Sequence, residues 1–328
     1  MHELRKDPLL QRWVAVLQGS MRPQDYELPQ ENWHRQDCPL CRAFREAEPL
    51  AQVSQEGRVL IKAIEGFVPL MLRQAELGRK GVGIYDRMNP VGAYEIVIDS
   101  PEHGLQPEDL GEGHMQMLLG LYRARIKELV KDPKVRYVLV FKNRGMLSGA
   151  SFEHPHSELI ATPIIPKLLK EELDGAKGYY AYKERCIFCD ILNEELRMKE
   201  RIIAQSEGFV AFSPYAPRVP FEFWVLPRRH NCAFEDCTDE ELGELAMLMK
   251  GLLQKMRRAL REPPYNYYIH TAPNRVPRRD HWHTLGDDFH WHIEVLPRLH
   301  RTSGFEWGSD FYMLSTSPED GAKYIREA

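Results

Sequence analysis

The chain has 328 residues, with 44 Lys and Arg against 48 Asp and Glu for a net charge of −4, and it is 43% apolar and 28% charged. That composition excludes a disordered chain or a fibre, and at roughly 100–200 residues per domain the length predicts about two domains. Mild acidity argues against a nucleic-acid groove, which is built from clustered Lys and Arg, and no run reaches the ~18 apolar residues of a membrane span.

The start, MHELRKDPLL, lacks the apolar stretch of a secretory signal, so a cytoplasmic location is expected. Next comes a C-x-x-C pair, Cys38 and Cys41. Tyr94 to His103 reads as an aromatic, a Glu, an apolar strand-like run and a closing His. An amphipathic helix is predicted over 110–130, a KDP turn after it, and a strand over 135–141. Asn143 to Ser151 is a loop leading into His154-Pro155-His156-Ser157-Glu158. Pro163 to Tyr182, with two prolines and a charged run, reads as a bridge.

Beyond the bridge the same order returns. A second pair, Cys186 and Cys189, precedes Phe221 to His230, again aromatic, Glu, apolar run and His. A helix over 239–260, a REPP turn and a strand over 265–270 follow, and then His290, His292 and Glu294 stand in the same H-x-H-x-E order as His154, His156 and Glu158. Two α+β halves are expected, 1–168 and 169–328, each a mainly antiparallel sheet with packed helices.

Six cysteines in this length do not make a disulfide framework, and the presence of 13 His points to metal. Zinc takes four tetrahedral N or S ligands, commonly starting from C-x-x-C. Completing each pair through the repeat gives Cys38, Cys41, His103 and His154, then Cys186, Cys189, His230 and His290. A single pair could equally be a redox dithiol or two buried thiols; the repetition of matching His positions disfavours that. In the second set His281 competes as a ligand, and Cys232 and Cys237 read as small apolar side chains. With His154 held, His156 is posted on a strand beside a loop whose glycines, amide and hydroxyls can meet a phosphate.

These residues resemble the galactose-1-phosphate uridylyltransferase family, the transferase branch of the histidine-triad superfamily. The likeness runs through Arg5-KDPLLQRWVAV, Arg22-Pro23, Cys38-PL-Cys41, GVGIYDRMNPVGAYEIVIDSPEH, HPHSE, YNYYIHTAP, FHWHIEVLPRL and SGFEWGSDFY. The second C-x-x-C is similar to the branch with two zinc sites that includes ADP-glucose phosphorylase. The resemblance implies histidine-triad-like halves, two structural zincs and a homodimer. It also implies a covalent nucleotidyl-His156 formed from a nucleotide sugar and discharged by a hexose 1-phosphate, or by phosphate in a phosphorylase. By position it gives Arg22, Asn143, Gly149 and Ser151 to the phosphates and Glu306 to the sugar.

Two departures stand out. The family carries Gln where this chain has Glu158, and an ionised carboxylate cannot donate to a phosphate oxygen. Like charges 4 Å apart repel by about 4 kcal/mol at an effective dielectric near 20. Unless Glu158 is protonated, turned away or bridged by a cation, it slows transfer. The segment Gly66-FVPL-Met71 lacks the family's Asn before the aromatic, which leaves uracil and adenine both open. The Arg275-VP-Arg278-Arg279 loop before His281 could reach a diphosphate, but a solvated loop is the favoured reading, since charge runs usually face water. The rival of another class is a zinc-stabilised scaffold or nucleic-acid binder that has lost the chemistry. His156, Ser151 and the net charge speak against it.

Overall fold

A computed structural model describes residues 3–16, 21–26, 37–111, 113–277 and 282–328. After strands β1 (Glu3–Lys6) and β2 (Trp13–Val16), the first half holds α1 (Pro39–Glu46), β3 (Ala51–Gln55), β4 (Arg58–Glu65), the small hairpin β5 (Lys80–Val82) and β6 (Tyr85–Arg87), β7 (Ala93–Ile98), α2 (His114–Leu129), β8 (Tyr137–Arg144) and β9 (His156–Thr162). The second holds α3 (Lys167–Lys183), α4 (Ile187–Met198), β10 (Ile202–Gln205), β11 (Phe209–Phe212), β12 (Phe223–Pro227), α5 (Asp239–Leu260), β13 (Tyr265–His270), α6 (Leu285–Asp288) and β14 (His292–Pro297). The chain closes with α7 (Gly304–Ser309), β15 (Tyr312–Leu314), which pairs with β2, and α8 (Pro318–Glu327).

The fold is α+β, as expected, with one addition. The two five-stranded units are fused edge to edge into a ten-stranded antiparallel sheet, ordered β10-β11-β12-β14-β13-β8-β9-β7-β4-β3. The seam is the β8–β13 pair, where Asn143 lies opposite Asn266 and Lys142 opposite Tyr267. Joining two edges satisfies backbone groups that would otherwise face solvent.

One face of the sheet carries α2, α5 and α8. Along α5, Leu242, Leu245, Met249, Leu252, Leu253 and Met256 are buried at spacings of three and four, each contributing about 1.5–3 kcal/mol by leaving water. Thr238 starts this helix with a reciprocal capping box to Glu241, at 3.2 and 2.9 Å. The opposite face is covered unequally. In the first half, among the described helices, only α1 packs there, on Ile64, Ile96 and Ile98. In the second half α3 and α4 press on Val210, Phe212, Trp224 and Leu226.

The stretch read as a bridge is therefore mostly helix. Leu169, Leu173 and Ala176 sit at i, i+4 and i+7 and are buried, while the charged residues between them face outward, apart from buried Glu172. Expected and observed helices agree at 239–260; α2 starts later than its periodicity suggested, after Gly113 in the left-handed conformation. None of the described helices is long and apolar enough to cross a membrane.

Candidate active site and metal centres

Each C-x-x-C sits at the start of a helix. Cys38 and Cys186 are the N-cap residues of α1 and α4, and Cys41 and Cys189 fall three residues on, in the first turn. That end of a helix favours anionic sulfur. Around the first pair, Cys41 Sγ lies 3.4 Å from His103 Nδ1 and 3.2 Å from His154 Nδ1. Around the second, Cys189 Sγ lies 3.3 Å from His230 Nδ1 and 3.6 Å from His290 Nδ1. Within each set one donor atom per residue falls within 4.8 Å of the others.

The outer contacts suit metal ligands, whose second ring nitrogen is normally held by a carboxylate or carbonyl. His103 Nε2 meets Glu153 at 3.0 Å, His154 Nε2 the Ser100 carbonyl at 2.8 Å and His230 Nε2 the Gly286 carbonyl at 2.9 Å. The Cys189 thiol, bonded by Cys186 and then by both histidines, is pulled down to about 3, whereas burial pushes the Cys41 thiol up. Two sulfurs, two Nδ1 atoms and these separations fit a tetrahedral ion with bonds of about 2.0–2.3 Å. His281, Arg278 and Arg279 lie outside the described residues.

His156 opens β9, two residues after His154. Its Nδ1–H donates to the His154 carbonyl at 2.8 Å, which leaves the Nε2 lone pair free. Burial, aided by nearby Lys142, holds its pKa down to about 4, so the imidazole is neutral at pH 7. Phe152 stands edge-on to the imidazole at 5.5 Å, and Phe67 edge-on to Phe152 at 5.8 Å. Glu158, on the same strand face, accepts from Tyr94 Oη at 2.6 Å; burial raises its carboxyl pKa and that hydrogen bond only partly lowers it.

Asn266 Nδ2 donates to Asn143 Oδ1 at 2.7 Å, which turns the Asn143 amide nitrogen outward as a donor. It also holds the loop through the Ser148 carbonyl at 2.8 Å. Gly149 has φ +85° with open space about it, so the left-handed backbone, not crowding, calls for glycine there. Gly149 and Ser151 are exposed. Arg22 is paired with Asp25 at 3.3 Å. Glu306 is buried as the capping-box carboxylate of α7, 2.7 Å from the Ser303 N–H. Neither is bonded to a described residue around His156.

Sequence reasoning missed what lies beneath His156. Lys142 Nζ contacts Asp99 Oδ2 at 2.6 Å and the His156 carbonyl at 3.2 Å, Asp99 accepts from Ser157 Oγ at 3.0 Å, and Tyr122 donates to Ser157. All four side chains are buried. The signal was a lysine within the apolar run VLVFK. The counterpart in the second half, His292, makes the same bond to the carbonyl two residues back, at 3.1 Å, yet is wholly buried under Trp224, stacked at 5.2 Å. Around it Glu172, His270, His292 and Glu294 bring one donor atom each within 4.8 Å, with Arg218 supplying positive charge to Glu294.

This arrangement has relatives. The sequence profile of the galactose-1-phosphate uridyl transferase N-terminal domain matches residues 1–166, and that of the C-terminal domain residues 172–303. ADP-glucose phosphorylase of Arabidopsis thaliana is 33% identical over 99% of this chain and 92% of its own. Galactose-1-phosphate uridylyltransferase of Thermotoga maritima is 26% identical over 100% and 98%. The crystal structure of the Arabidopsis ADP-glucose phosphorylase with bound ADP-glucose superposes with a TM-score of 0.84, at 32% identity, over 100% of this chain and 99% of that one. A uridylyltransferase structure at 24% identity, TM-score 0.76, covering 100% and 98%, shares the fold. The chain is a transferase belonging to the galactose-1-phosphate uridylyltransferase family.

Proposed function

We propose that this enzyme moves a nucleoside monophosphate from a nucleotide sugar to a hexose 1-phosphate through a covalent nucleotidyl-His156. One observation carries the reading: the bond from His156 Nδ1 to the His154 carbonyl, which fixes the tautomer and aims a neutral Nε2 lone pair away from its own strand. In the first step Nε2 bonds the α-phosphorus, and the bond from that phosphorus to the bridging oxygen breaks. The leaving group is hexose 1-phosphate. In the second step a phosphate oxygen of the acceptor bonds the same phosphorus and the P–N bond breaks, returning the imidazole. Lys142 lowers the basicity of that imidazole from below and ties its backbone in place.

Asn143, Gly149 and Ser151 serve the phosphates in this reading, with Arg22 and Glu306 reaching substrate from elsewhere. The first Cys2His2 set holds a structural zinc that fixes the backbone around Pro155; the second holds its echo. The chain acts as a cytoplasmic homodimer with no nucleic-acid partner, which the family likeness and the mild acidity support.

A second reading has phosphate as the acceptor, acting on ADP-glucose or a dinucleoside polyphosphate. The 33% identity to ADP-glucose phosphorylase over nearly the full length of both chains favours it. Intact-mass spectrometry after incubation with UDP-glucose or ADP-glucose tests both. An added UMP or AMP on the peptide containing His156 is expected, discharged by galactose 1-phosphate in the first reading and by phosphate in the second. Absence of any adduct, together with affinity for RNA or DNA, would establish the scaffold reading instead.

A further inference from the structure

The two halves match residue by residue through the sheet. Ile64 pairs with Ile96 and Ile96 with Glu158 in the first; Phe212 pairs with Trp224 and Trp224 with Glu294 in the second. The same match sets His292 on His156, and Pro214-Tyr215-Ala216-Pro217 on Gly66-Phe67-Val68-Pro69. In the first half, Phe67 leads through Phe152 to the nucleophile. In the second, Tyr215 and Ala216 line a cavity of about 650 Å³, a volume that suits a small organic ligand. The helix that begins at the Cys pair contributes Ile187, Ile191 and Met198 to its lining, and Trp224 closes it off from His292.

We propose that this cavity binds an unphosphorylated nucleoside. The inference rests on reading the first half as a nucleotide site, since the cavity occupies the corresponding place in the second. What differs is the electrostatics. The lining carries Asp7, Asp190, Glu194, Glu195, Glu200 and Glu319 against Arg5, Lys6 and Arg201. Glu319 engages Arg5 at 2.8 Å and Arg201 at 2.7 Å, and Glu195 takes Arg201 as well at 2.9 Å. A phosphate entering here meets excess carboxylate. Exocyclic amino groups and ribose hydroxyls, which donate hydrogen bonds, find acceptors, and a planar base finds apolar and aromatic walls. On the His292 side Trp224 stacks on the imidazole, taking the place that Ile96 holds opposite His156's strand in the first half. The second half thus keeps the nucleoside end of the pocket and closes the phosphate end.

Hydrogen exchange on the full-length protein, with adenosine, uridine or AMP as probes, tests this. Adenosine or uridine is expected to protect 187–198 and the segment around Tyr215, with AMP binding there at least tenfold more weakly than adenosine. Ile191→Trp, which fills the cavity, is expected to weaken nucleoside binding at least tenfold and to leave adduct formation at His156 within twofold of wild type. Protection confined to the His156 loop, or affinity unmoved by Ile191→Trp, overturns the proposal; the wild-type exchange map decides even if that variant folds poorly. Protection at α4 without any His156 adduct counts against the transferase reading alone, and an adduct without α4 protection counts against the second site alone.

Discussion

His156 and His292 each follow a histidine of a Cys2His2 set by two residues, and each bonds that histidine's carbonyl through Nδ1, at 2.8 and 3.1 Å. Their surroundings then part. His156 has Phe152 at its edge and a Gly- and Ser-bearing loop before it, whereas His292 lies under Trp224 and against Phe188, 5.1 Å away. The supporting strands differ too. Lys142, Ser157 and Asp99 in the first half correspond by register to Ile269, Ile293 and Pro227 in the second. A buried ion pair is weak grounds for stability, because desolvation offsets most of the attraction. The second half has a buried pair of its own, Arg218–Glu294, beside His292, but in the first Lys142 also bonds the carbonyl of His156 itself, so that pair is better explained by positioning than by folding.

Replacing the two histidines should separate chemistry from structure most sharply. His156→Ala is expected to reduce nucleotidyl transfer by about 10³-fold or more, with little change in urea midpoint. His292→Ala is expected to cost about 2–4 kcal/mol of stability, through a cavity and the partner carboxylates left behind, with transfer by the folded fraction nearly intact. Single-turnover adduct formation and equilibrium unfolding measure the two. If folded His292→Ala protein cannot form the adduct, the division of labour between the halves is wrong.

The buried pair comes next. Lys142→Ile imports the second half's residue and leaves Asp99 without its cation, which should cost about 3–5 kcal/mol. Adding Asp99→Asn is expected to recover much of that stability without restoring the transfer rate. Recovery of both would reduce Lys142 to a structural role.

Cys41→Ser and Cys189→Ser should each remove one equivalent of bound zinc by elemental analysis. Only the first is expected to slow adduct formation, by about tenfold, since that set includes His154, two residues before His156 at the start of β9. Equal slowing in both variants would mean that the second centre also shapes the active site.

Much of this contrast was legible in the sequence because motif order survives where spacing drifts. The paired C-x-x-C and H-x-H runs marked both Cys2His2 sets, and the i, i+3, i+4 pattern marked α5 to its ends. What stayed hidden depends on which strands become neighbours. The β8–β13 seam, and with it the Asn266 contact that orients Asn143, joins residues 123 positions apart that share no local signal. Lys142 stood out as a charge in an apolar run, but its partner Asp99 is 43 residues away, just past β7, a strand that β8 does not pair with. The charged run after Pro166 hid a helix, since its buried Leu169, Leu173 and Ala176 are separated by residues that face water.

The smallest effects concern Glu158, the first half's match to Glu294. Burial raises its pKa above the usual value of about 4.3, and Glu294, facing Arg218, is held well below it. A neutral Glu158 tolerates a neighbouring phosphate. Transfer should therefore decline as pH rises through the raised value, and Glu158→Gln should lack that decline and be a few-fold faster at alkaline pH. Stability carries the same sign: the Glu158 contribution is present below about 4.3 and is lost as pH rises through the folded value. Loss of activity in Glu158→Gln would show a positive role for the carboxylate.

Tyr94→Phe refines the test. The Tyr94 hydroxyl lowers the Glu158 pKa by donating to it, so its removal should move the alkaline decline upward, by less than about one pH unit. The ring itself must stay, because it packs so closely on Gly66 that even a Cβ there would lie 2.1 Å from it. Phe preserves that contact and leaves the Glu158 pKa as the quantity changed. A decline that stays in place, or moves down, would mean that a group other than Glu158 sets the alkaline limit.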